Sequence, residues 1–324
     1  MSWPITIEDV RRAVERLRPH LARTALRDYA PLDAAVGCGI RVLVKHENHQ
    51  PTNAFKVRNT MNAVAALDEA TRKRGLIAAT RGNHGAGLAW AARRFNAPVV
   101  VVVPHGNNPE KNAAIRGFGA ELIEAGHDYD QSVVTAGEIQ RARELHMVHS
   151  TNDRDVLAGA ATLALEIVED APEVEAMVIA VGGGSQAVGA LTIARALNPT
   201  IRVYAVQAAG AAAMHDAVTT GHPRTYDRAD TFADGIATRA PYELTYPALR
   251  EGLAGFVTVT DAEIAAAMRM LVSTTHQLVE GAGAAGLAGL IKLREKLAGK
   301  RVAIVLSGGN VDLPTLRSVL AGQL

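Results

Sequence analysis

Lys56 stands in the stretch QPTNAFKVRN, residues 50–59 of a 324-residue chain that carries seven lysines against 27 arginines. Phe55 and Val57 flank it, and an apolar setting disfavours the ammonium, which frees the amine to act as nucleophile and base. Three loops offer a place for a ligand of that amine. TRGNHG at 80–85 follows the run LIAAT, VGGGSQAVG at 181–189 follows AMVIA, and LSGGN at 306–310 follows RVAIV. In an open parallel sheet such loops lie outside the carboxyl ends of the strands, where helix N-termini present free N–H groups and a positive dipole end. The consecutive Gly182, Gly183 and Gly184 let the backbone curl around an anion with its N–H groups inward and no Cβ in the way. A tight turn alone would need one glycine, so the expected anion is phosphate.

GAGAAG at 281–286 matches G-x-G-x-x-G to the letter. It follows the helical-looking THQLVE rather than a strand, and the next strand, RVAIV, ends at Ser307 without the acidic residue a dinucleotide site requires. The expectation is a helix packed closely through its small residues. A phosphate cradle without a dinucleotide, together with one lysine in an apolar setting, points to pyridoxal phosphate held through Lys56 as a Schiff base.

These loops need elements to position them. The dominant pattern is a short β-branched run, a glycine-bearing loop, then an alanine-rich helix. Strands are predicted at 40–44, 76–80, 98–103, 120–124, 147–150, 176–181, 201–207, 256–260 and 301–306. Most are apolar on both faces, as strands covered on both sides should be. Helices are predicted at 57–72, 128–145, 156–169 and 184–197, and TDAE at 260–263 reads as a capping box. The fold class is therefore α/β, with two domains built on mostly parallel open sheets. Residues 45–150 form the smaller, of about four strands; residues 1–44 with 151–324 form the larger, which carries the phosphate loop, with no C-terminal regulatory domain. With 34 basic and 33 acidic residues the chain has no electrostatic footprint for nucleic acid or anionic lipid. No run of about 18 apolar residues would span a membrane, and MSWPITIEDV lacks the apolar core of a secretory signal. A soluble cytoplasmic protein is expected, with Cys38 as a small buried hydrophobe.

KHENHQPTNAFKVR, starting at Lys45, resembles the K-x-E-x-x-Q-P-T-x-S-F-K-x-R segment of the serine/threonine dehydratase branch of the fold-type II pyridoxal phosphate enzymes. TRGNHG is similar to its S-x-G-N-H motif, GGGSQ to its glycine tetrad and LSGGN to its S-G-G-N; NPEK at 108–111, GAE at 119–121 and ADGIA at 233–237 are secondary matches. The correspondence runs in order over nearly the whole chain. It implies a tryptophan synthase β-like fold, a homodimer, and β-elimination that converts a β-hydroxy amino acid such as L-threonine or L-serine to a 2-oxo acid and ammonia. It further implies that Lys56 holds the cofactor and shuttles protons, with Phe55 beside it. Asn83 would bond the cofactor's ring hydroxyl oxygen, Gly182, Gly183, Gly184, Ser185 and Gln186 its phosphate, and Ser307 its pyridine nitrogen. Thr80, Arg81 and His84 would meet the substrate.

Four features depart from that pattern. Asn53 and Ala54 alter the lysine's surroundings, and Ser185 replaces the last glycine of the tetrad. Arg81 stands where related serine racemases keep a serine, and a guanidinium does not give up a proton, which disfavours two-base racemisation. Gln207 stands where racemase-like members hold a divalent cation with a glutamate, so no metal is expected. Arg81 could instead grip a carboxylate bidentately, which makes threo-3-hydroxyaspartate the alternative substrate. An amino-acid racemase and a cysteine synthase-like β-replacement enzyme rank lower, the latter because cysteine synthases carry threonine where His84 stands. A non-catalytic binder of this fold is opposed by the joint presence of Lys56, Asn83 and Ser307.

Overall fold

The computed structural model describes residues 3–324. Among them are the strands β1 (Leu26–Asp28), β2 (Arg41–Lys45), β3 (Leu76–Ala79), β4 (Val99–Val103), β5 (Glu121–Glu124), β6 (His146–Met147), β7 (Ala176–Ala180), β8 (Arg202–Ala208), β9 (Gly255–Val259) and β10 (Arg301–Val305). They form two sheets, in the orders β1-β2-β10-β7-β8-β9 and β5-β4-β3-β6. All pairings are parallel except β1 against β2.

Helices cover both faces of each sheet, which is why the strands read as continuous apolar runs. Successive residues of a strand point to opposite faces. Ala176 and Val178 of β7 enter the core shared with the helices Asp261–Thr275 and Gly281–Leu293. Met177 and Ile179 enter the core shared with Arg154–Asp170 and Ser185–Leu197. In the smaller sheet, Val99, Val101 and Val103 face the helices Lys56–Ala66 and Asn83–Arg94, while Val100 and Val102 face Tyr129–Arg143.

Three local expectations need correction. β1 was not expected: Leu-Arg-Asp offers no apolar run, and this edge strand is mostly exposed. The single helix expected over 57–72 divides into Lys56–Ala66 and Glu69–Arg74, because Leu67 turns extended and the Asp68 side chain accepts from Thr71 N–H to cap a new helix. Cys38 is exposed rather than buried, at φ 52° in the Gly37–Gly39 turn that leads into β2.

Other local readings hold. Thr260 and Glu263 form the reciprocal capping box. GAGAAG lies in the helix Gly281–Leu293 and packs closely through its small residues: a Cβ on Gly283 would fall 2.5 Å from Gly308 O and one on Gly286 3.2 Å from Val178 O of β7. Further along the same helix, a Cβ on Gly289 would fall 2.1 Å from Val206 Cγ2 of β8.

Candidate active site

β3, β7 and β10 deliver TRGNHG, VGGGS and LSGGN to one cleft between the two sheets. All twelve residues singled out from the sequence line it: Phe55, Lys56, Thr80, Arg81, Asn83, His84, Gly182, Gly183, Gly184, Ser185, Gln186 and Ser307. Lys56 is brought there by its own strand-like lead-in. Ala54 bridges Gly308, and Phe55 N–H donates to Ser307 O at 3.0 Å, so the first turn of the helix Lys56–Ala66 starts against the LSGGN loop.

Lys56 Nζ donates to Ser150 O at 3.0 Å, and no acidic side chain pairs with it among the described residues. Burial without a counter-charge lowers its pKa from 10.5 to about 8. His84 is buried and held neutral, its pKa lowered to about 3 by burial and then by Lys56. Its Nε2 donates to Val148 O at 2.9 Å, which leaves Nδ1 without a partner.

Gly184 caps the helix Ser185–Leu197 at φ 96°, and the first N–H groups of any helix lack internal partners. A Cβ on Gly183 would fall 2.1 Å from Thr151 Oγ1, so the backbone itself forms the wall of the cleft there. Gln186 Oε1 is buried without a partner. An apolar amine at one end and open amides on a glycine loop at the other fit pyridoxal phosphate. Lys56 would hold its aldehyde end, the glycine loop its phosphate, Asn83 its ring oxygen and Ser307 its ring nitrogen.

Gln207 does not face the cleft; its Nε2 donates to Thr238 Oγ1 at 3.2 Å and its Oε1 accepts from His215 N–H at 2.9 Å. Arg81 makes no hydrogen bond or ion pair among the described residues, and its Nε is buried without a partner. The cleft also contains Tyr242, and with it residues left without a role in the sequence analysis: Lys111, Tyr129, Ser150, Asp234 and Glu280. Burial raises the pKa of Tyr129 and of Tyr242, so both phenols stay protonated. Lys111 and Asp234 fall in the NPEK and ADGIA segments, which were the available signal; Glu280 had none beyond its place before GAGAAG.

The family of pyridoxal-phosphate dependent enzymes matches residues 17–308. The L-threonine ammonia-lyase of Thermotoga maritima is 36% identical over 98% of this chain and 78% of its own length. The L-threo-3-hydroxyaspartate ammonia-lyase of a Pseudomonas species is 36% identical over 97% of this chain and 98% of its own. Maize serine racemase superposes with a TM-score of 0.92 at 28% identity, over 99% of this chain and 98% of that one. The chain belongs to the pyridoxal-phosphate dependent enzymes, in their fold-type II, serine/threonine dehydratase branch. It is a lyase that uses pyridoxal phosphate.

Proposed function

We propose that this cleft removes water and ammonia from β-hydroxy amino acids, L-threonine and L-serine first, to give a 2-oxo acid, with Lys56 as the acid–base group. One observation carries the assignment of roles: a lysine lowered to about 8 by burial alone lines the same cleft as a glycine loop at the N-terminus of a helix. When bound, the cofactor supplies the electron sink for the pair left at Cα. Lys56, a sizeable fraction of it neutral near pH 8, takes the Cα proton. The β-hydroxyl takes up a proton and departs as water, which with the proton lost from Cα makes the step a net loss of water, and the released enamine reacts with water to give the 2-oxo acid and ammonia. Ser307 offers the ring nitrogen a hydroxyl rather than a carboxylate, so the sink is weak. A weak sink suits a reaction whose β-substituent leaves as soon as the proton is gone.

Arg81 favours a second reading, threo-3-hydroxyaspartate as substrate. An unpaired guanidinium lining the cleft is a bidentate site for a second carboxylate, and the Pseudomonas relative that matches end to end carries that activity in its name. Release of 2-oxo acid from L-threonine, L-serine and threo-3-hydroxyaspartate, with Lys56→Ala as blank, decides between them. Equally poor turnover of all three would sink both.

The domain limits 45–150 and 1–44 with 151–324 are supported by the separation of β3 to β6 from the strands of the larger sheet. Homodimer formation rests on the family resemblance, and a cytoplasmic location on the lack of a secretory signal in MSWPITIEDV. Light scattering would test the former. Among the described residues no helix is long and apolar enough to cross a membrane.

A further inference from the structure

A chain of hydrogen-bonded polar groups runs through Asn83 along the cleft, and apart from Asn83 the β-elimination as described uses none of it. Lys111, on the helix Pro109–Gly117, reaches over to Asp234 Oδ2 at 2.6 Å and Glu280 Oε2 at 3.3 Å. Glu280 Oε1 accepts from Asn83 Nδ2 at 2.5 Å. On its other side Asn83 Oδ1 accepts from Asn310 Nδ2 at 2.8 Å, and that same Asn310 nitrogen donates to Thr52 O at 2.9 Å. Asn53, one of the departures from the family pattern, extends the chain by donating from Nδ2 to Asn310 Oδ1 at 3.3 Å.

Lys111 and Glu280 are both buried, and the two carboxylates beside Lys111 outweigh the burial that would otherwise neutralise it. The donor and acceptor inventory is then closed. Both oxygens of Glu280 accept, and the Asn83 amide can stand in one orientation only: its carbonyl is taken by Asn310, one N–H by Glu280, and one N–H remains.

We propose that Glu280 is a positioning residue that locks the Asn83 amide so that its remaining N–H serves the cofactor's ring oxygen. This rests on the reading of Asn83 as a cofactor ligand. A carboxylate is required because an amide has one accepting and one donating end. Facing Asn83 N–H on one side and the Lys111 ammonium on the other, the side chain of the Glu280→Gln variant must set a donor against a donor.

The test is cofactor affinity by equilibrium dialysis, with the pH dependence of the bound cofactor's visible absorbance, in Glu280→Gln, Lys111→Met, their double variant and Asn83→Ala. Glu280→Gln should weaken affinity about tenfold, the consequence of one mispaired buried donor, and shift the absorbance profile. Adding Lys111→Met should restore most of both, because the introduced amide then needs to supply only one acceptor. An unchanged Glu280→Gln alongside a weakened Asn83→Ala would overturn the proposal, and so would a loss that Lys111→Met leaves uncorrected. Full affinity in Asn83→Ala would overturn the assignment of Asn83 itself, and this inference with it. Should Glu280→Gln not fold, Asn310→Asp asks the same question at a part-exposed position. It sets an acceptor against Asn83 Oδ1, so a similar loss is expected, and unchanged affinity overturns the lock.

Discussion

Lys56→Met should stabilise the cofactor-free protein below pH 8. The lysine's pKa falls from 10.5 in the unfolded chain to about 8 in the fold, with burial as its cause. At 1.36 kcal/mol per pH unit, that difference costs the fold about 3 kcal/mol whenever the buried amine is charged. The cost is complete below pH 8, where both states bind the proton, and it fades as pH rises from 8 to 10.5, where only the unfolded chain still binds it. Wild-type stability should therefore climb through that window. Lys56→Met, which keeps the stem and discards the charge, should not share this climb. The lost hydrogen bond to Ser150 O leaves a carbonyl unpaired and subtracts about 1 kcal/mol, so the expected gain at pH 7 is about 2 kcal/mol. In a chain of this length that is a rise of about 3 °C in melting temperature. Calorimetry of cofactor-stripped wild type and variant at pH 7 and pH 10 measures it. A difference between the two that stays constant with pH would refute the buried, unpaired amine and with it the reason given for the lysine's reactivity.

Arg58→Met should cost about 3–5 kcal/mol in urea unfolding, because it strips the guanidinium that donates to Glu47 and Glu166 and leaves buried carboxylates behind; a cost below about 1 kcal/mol would contradict the buried pairing. Gly183→Ala places a Cβ 2.1 Å from Thr151 Oγ1, so cofactor affinity should fall at least about tenfold, and Thr151→Gly should recover part of it. Arg81→Gln should reduce kcat/KM for threo-3-hydroxyaspartate by about 10–100-fold while leaving L-serine within about threefold, the difference expected for one lost charge-assisted pair. An equal fall for both substrates would place Arg81 on the α-carboxylate.

The parts legible in the sequence were those whose cause is local. Burial on both faces writes itself as the uninterrupted valines of β4, and a phosphate-type loop writes itself as consecutive glycines. A capping box is spelled within four residues, as at Thr260 and Glu263. Where the cause was one side chain's choice between two turns, local reading failed. Asp68 could have continued the helix from Lys56 and instead caps a new one. β1 owes its place to a neighbour, β2, that gives it a ladder, and its own three residues carry no strand signal.

Roles assembled across the cleft were less visible still. Lys111 meets Asp234 across 123 positions of sequence and Glu280 across 169, so no window contains the pair. Glu280 is instructive because it precedes the glycine run that mimics a dinucleotide fingerprint. The letters GAGAAG have the same spacing whether the glycines admit a phosphate or another element of the protein. What separates the two is what a Cβ would strike. At Gly289, in the same helix, it would strike a valine side chain of β8, whereas at Gly183 it would strike a threonine that lines the cleft. The first glycine permits helix–sheet contact, and the second keeps backbone at the cavity wall. Glu280, at the N-cap of the packed helix, turns its carboxylate away from that helix toward Asn83. The residue just before the segment rejected as a nucleotide site thus accepts a hydrogen bond from an asparagine of the cleft, a contact that spacing could not show because it depends on direction.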